Sequence, residues 1–120
     1  MTVRQEAPAF AWQEALAFAE AGCGVAVFAE TWELAQNHLR DFEEILDDKQ
    51  VEKIIRAYGR QVIHFHSGGT LCFYSTRSIP RGRALDRLYV PIASLRPEIM
   101  ERIAPLVVTS KEPAIVGYFD

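Results

Sequence analysis

The sequence has little cysteine, little lysine and no long apolar run. Its two cysteines, Cys23 and Cys72, sit in apolar stretches without a CxxC partner. That usage predicts two reduced, buried thiols and a cytoplasmic setting. No stretch approaches the roughly 18 apolar residues of a membrane span, so no membrane partner is expected. Residues 1–8 lack a basic segment followed by an apolar one, which argues against a secretion signal. No repeat or low-complexity segment interrupts the chain. What is present is a globular composition: 120 residues, 49% apolar and 24% charged. That excludes intrinsic disorder and fits one domain over 1–120. Such a chain buries about two-thirds of its unfolded surface and requires no disulfide or metal staple.

Charge is divided along the chain. Residues 1–48 hold ten acids and two bases, a formal charge of −8; residues 49–87 hold eight bases and two acids, a formal charge of +6. Ten of the thirteen bases are arginine, whose planar fork suits phosphate or carboxylate. Arg77, Arg81, Arg83 and Arg87 fall around Pro80 and Gly82. They are the candidate binding residues for phosphate or a partner. The pI near 5.6 counts against a dedicated nucleic-acid binder.

Periodicity predicts the elements. Residues 9–21 read as a helix, with Pro8 at its start and Gly22 at its end. Residues 23–29, CGVAVFA, are wholly apolar and predict a central strand covered on both faces. Thr31 is placed to cap a helix over 32–46, with Leu34, Ala35, His38, Phe42, Ile45 and Leu46 as its inner stripe. Val51, Ile54, Ile55 and Tyr58 repeat the helical spacing and predict a second, short helix stopped by Gly59. RQVIHFHS and TLCFYS, separated by Gly68-Gly69, predict a hairpin with positive φ available at both turn positions. LYVPI at 88–92 is a strand that Pro91 restricts to an edge or to a strand end. A short helix over 97–104 and a strand over 114–119 complete the chain. Helices alternating with apolar strands predict a three-layer α/β domain with a mostly parallel sheet and one β-hairpin.

Other reactive groups have plainer explanations. His64 and His66 share a strand face, and Cys72 or His38 could join them around zinc. With no CxxC or HExxH spacing, half-buried strand histidines are the simpler reading, and no metal is expected. Cys72 lies mid-strand between Leu71 and Phe73, which suits a core residue better than a nucleophile. Ser75, Thr76 and Ser78 have no adjacent base in sequence. Trp12 and Trp32 sit at positions compatible with core packing.

The succession of elements carries a resemblance. An apolar strand and helix (GVAVFAETWELAQNHLRDFEEIL) precede the hairpin (VIHFHSGGTLCFYSTRS). An Arg-Gly-Arg loop closed by an aspartate follows (PRGRALD), then a strand (RLYVPIA), and then a helix and last strand. This resembles the P-loop ATPase core of phage large terminases, the helicase-like motors that package DNA. The resemblance implies a P-loop fold, a Gly-Lys-Thr loop before the first helix, and an Asp-Glu pair at the end of the later strand. Here residues 3–10 read VRQEAPAF and the first lysine is Lys49; Pro91 and Ile92 stand at the acidic positions. A phosphate cradle needs glycine amides and a lysine, and Mg²⁺ needs a carboxylate. The reading is therefore a non-enzymatic pseudo-ATPase, phage-encoded and without a cofactor. It would act by binding a protein partner or itself, with a nucleic-acid-binding module working through the 77–87 arginines as the alternative.

Overall fold

Strand β2 (Gly24–Ala29) consists of small and apolar residues, and Val25 to Ala29 are buried. Its side chains alternate between two cores. Val25, Val27 and Ala29 face helices α1 (Pro8–Glu20) and α2 (Trp32–Glu43). Ala26 and Phe28 face the opposite core, which includes Ile99 and Ile103 of helix α3 (Pro97–Ile103). The period-two pleat thus builds a three-layer domain around one strand. The computed structural model describes residues 3–57 and 59–119, and for residues 3–6 the backbone course alone.

Among the described residues seven strands form one sheet. The other six are β1 (Val3–Glu6), β3 (Val51–Ile55), β4 (Val62–Phe65), β5 (Thr70–Ser75), β6 (Arg87–Pro91) and β7 (Ala114–Tyr118). The order is β1-β7-β6-β2-β5-β4-β3. The pairs β1–β7, β6–β7, β2–β6 and β2–β5 are parallel, while β4–β5 and β3–β4 are antiparallel. The expected α/β class, parallel sheet and hairpin are all present.

Pro91 is the last residue of β6 and Ile92 opens a 3-10 turn, so β6 sits inside the sheet without interrupting a ladder. The segment predicted as a second short helix is instead the edge strand β3. A register shift between Val51 and Lys53 bends β3, and its unpaired edge imposes no strict alternation. The spacing of Val51, Ile54 and Ile55 therefore mimics a helix. Tyr58 lies outside the described residues.

Helix α2 starts where predicted: Thr31 Oγ1 accepts from the Leu34 amide at 3.2 Å. It stops at Glu43, three residues early, and its inner stripe is Ala35, Leu39 and Phe42. Leu34 and Ile45 are exposed instead, and so is Trp32 at the first helical position. Trp12 packs as expected, edge-on to Tyr118 with ring centroids 4.7 Å apart.

The hairpin tip uses its glycines differently from expectation. Gly68 has φ +92°, but Gly69 does not take a positive φ. A Cβ on Gly69 would lie 1.8 Å from the carbonyl oxygen of Ala19. Gly69 is thus required because the hairpin crosses the end of α1 in backbone contact, where Ser67 Oγ also donates to the Ala19 carbonyl at 3.1 Å. Gly69→Ala must push the hairpin off α1. The expected loss is about 3 kcal/mol, at the upper end of overpacking costs, measured by urea melts beside Gly68→Ala.

Candidate interaction site

The arginines predicted to act together are divided by the sheet. Arg87 belongs to β6 and points into the α1 layer, where it is buried. Its Nη2 donates to Glu14 Oε1 at 2.5 Å and its Nε to Tyr89 Oη at 3.3 Å. Tyr89 Oη donates to the same carboxylate oxygen at 2.8 Å. The guanidinium also lies 3.9 Å from the Phe18 ring centroid. Burial alone would lower the Arg87 pKa, but Tyr89 and Glu14 outweigh it and raise the value. The network pins α1 to the sheet.

Arg77 follows β5 and lines a cavity of about 620 Å³ with Thr31, Trp32 and Ser78. Arg81 and Arg83 line a different groove, of about 370 Å³, against α3 and the 3-10 turn after it. There they meet Arg102, which the fold supplies from α3. Nothing local in the sequence links Arg102 to the loop; only the docking of α3 does. Arg83 is held in place, with Nη1 donating to Tyr74 Oη at 2.9 Å and Nη2 to Cys72 Sγ at 3.7 Å. Burial, reinforced by Cys72, raises the Tyr74 pKa, so its phenol stays protonated.

The loop is closed at its base by Asp86. Its Oδ2 accepts from the Gly24 amide at 2.8 Å, its Oδ1 accepts from Ser110 Oγ at 3.0 Å, and its own amide donates to the Gly24 carbonyl at 2.7 Å. The aspartate that ends PRGRALD therefore fixes the loop on β2. Beside it, Cys23 is half-buried and lines a cavity of about 440 Å³ with Phe18 and Ser110. Burial, then Asp86, raises its pKa and keeps it a thiol. Cys72 is fully buried, as expected.

The histidines do not converge on a metal site. Among the described residues no three His, Cys, Asp or Glu side chains are grouped to hold a cation. His66 lies beyond the end of β4 and is exposed, whereas His64 Nε2 is buried without a hydrogen-bond partner. Burial, and then Lys53 across the β3–β4 pair, lowers the His64 pKa below the ordinary 6.5. Between the lowered and ordinary values the unfolded chain binds more protons, so stability is full above the ordinary value and falls with acidification. Wild type is expected to lose stability between about pH 7 and pH 5 more steeply than His64→Gln. Urea melts across that range measure both slopes.

At the carboxyl edge of the sheet, β1 and α1 are joined by one residue, Ala7. Pro8 has no amide hydrogen, and the Phe10 and Ala11 amides both donate to the Ala7 carbonyl, at 3.1 and 3.0 Å. On the other side of β7, β6 ends in Pro91 and continues into Ile92. Phe10 and Phe119 stand exposed along this edge.

This architecture has a solved counterpart, the large terminase of the thermophilic bacteriophage D6E, determined in complex with ADP. The fold is similar to part of that phage terminase. The TM-score is 0.60 at 12% sequence identity, and the match covers 98% of this chain and 33% of the terminase. The chain thus spans about a third of that protein's length. No family model and no curated protein matches the sequence. The likeness of fold agrees with the resemblance carried by the succession of elements in the sequence.

Proposed function

We propose that this chain is a non-catalytic, phage-encoded cytoplasmic protein that keeps a terminase-like fold and works by binding a protein partner or a second copy of itself. The single-residue link between β1 and α1 carries this reading. A phosphate cradle is a loop of several residues whose free amides point at the anion, completed by a lysine. Ala7 alone cannot form one, and the Phe10 and Ala11 amides are already occupied. Pro91 and Ile92 add no carboxylate for Mg²⁺ or water. With ATP and Mg²⁺, phosphate release is expected to stay at the level of buffer. Turnover abolished by a substitution at the carboxyl edge of the sheet would overturn the reading.

The nucleic-acid alternative needs the 77–87 arginines as one track. Arg87 is buried against Glu14, and Arg77 opens into a separate cavity. DNA binding that falls steeply with salt would favour that alternative.

A further inference from the structure

We propose that the groove between the 79–83 loop and α3 receives the acidic segment 44–48 of a second copy, giving head-to-tail assembly. This inference rests on the reading of the chain as an interaction protein. The groove has an apolar floor that includes Pro80, Pro105 and Leu106, with Arg81, Arg83 and Arg102 around it. Arg81 and Arg102 are exposed, and neither has an ion-pair partner among the described residues. Glu101 is the one carboxylate lining the groove among the described residues. Arg83 is already positioned by Tyr74 and Cys72, so ordering it on binding costs less.

The segment that fits this groove follows α2. It reads Glu44-Ile45-Leu46-Asp47-Asp48, with all three carboxylates exposed. Asp47 Oδ1 accepts from the Lys49 amide at 3.0 Å, which shapes the turn. Glu44 and Asp48 have no side-chain partner among the described residues. Ile45 is 43% exposed between them. An apolar residue flanked by carboxylates matches an apolar floor flanked by guanidiniums.

The two surfaces cannot meet within one molecule. Segment 44–48 continues α2, which packs on the face of the sheet opposite α3 and the groove. Complementary potentials on opposite faces orient encounters between copies. The contact is heterologous, so it closes into a ring or continues as a filament. A polyanion is a poorer occupant, because the chain carries a net charge of −3 and only three arginines reach the groove.

Sedimentation velocity on the full chain tests this. At low salt, wild type is expected to exceed monomer mass increasingly with concentration, and to return toward monomer as salt screens the contact. Arg81→Glu/Arg102→Glu and Asp47→Lys/Asp48→Lys each remove one side and should weaken association about tenfold. In their mixture the native segment of one meets the native groove of the other, and the two reversed sides, Lys against Glu, also complement each other, so the mixture should regain the association that each variant alone has lost. Monomeric wild type at low salt would overturn the inference. So would association unchanged in both variants, a mixture that stays monomeric, or DNA binding lost in Arg81→Glu/Arg102→Glu without self-association. None of these outcomes alters the expectation for ATP, so the two proposals fail separately.

Discussion

Glu14→Ala is expected to destabilise the fold by about 3 kcal/mol, at the lower end of the cost of breaking a buried ion pair. The substitution strands Arg87, whose side chain is 10% exposed, and removes the acceptor for Tyr89. The Glu14 side chain is 26% exposed, so water reaches the carboxylate and moderates the loss. Glu14→Gln should cost less, because an amide oxygen still accepts hydrogen bonds. Glu14→Ala combined with Arg87→Met should recover part of the stability, since the Arg87 charge is then no longer buried without the carboxylate that paired it. Urea melts of the four proteins measure each step. A loss below about 1 kcal/mol for Glu14→Ala would mean that Arg87 finds water on its own.

Val27→Asp is expected to abolish folding. Val27 is completely inaccessible and faces α1 and α2 from the middle of β2. Ionised, the aspartate would be a charge without a partner; protonated, it would still leave polar atoms unsatisfied. A cost above about 5 kcal/mol is comparable with the whole stability of a domain of this size, about 5–15 kcal/mol. The expected observation is the loss of a cooperative thermal transition. A soluble mutant with a sharp transition would contradict the placement of β2 between two layers.

Elements with a strong local pattern were legible from the sequence. The unbroken apolar run of β2 announced coverage on both faces, Thr31 announced the start of α2, and Gly68-Gly69 announced the hairpin. Elements whose pattern is set by their place in the sheet were not. β3 is an edge strand with a register shift, so its apolar residues fall at a helical spacing. The end of α2 is not legible, because Ile45 and Leu46 continue the stripe in sequence after the helix has stopped at Glu43. Turn geometry accounts for Gly68, whereas the requirement for Gly69 comes from Ala19 across the fold.

The candidate site was legible only in part. The cluster around Pro80 and Gly82 identified a basic loop, but not which way each arginine faces. β6 begins at Arg87, and the pleat directs that side chain to the α1 layer; Arg81 and Arg83 precede the strand and remain with α3. Arg102 joins them through tertiary packing alone. Sequence distance hides such a contact, because it depends on the layer each helix occupies.

Calorimetric titration of the purified chain with ATP and Mg²⁺ is the most direct measurement of whether this terminase-like fold is a nucleotide machine. The one-residue link at Ala7 and the Pro91-Ile92 strand end predict no saturable heat at micromolar nucleotide, with or without Mg²⁺. A tight, Mg²⁺-dependent isotherm of one site per chain would contradict the non-catalytic reading.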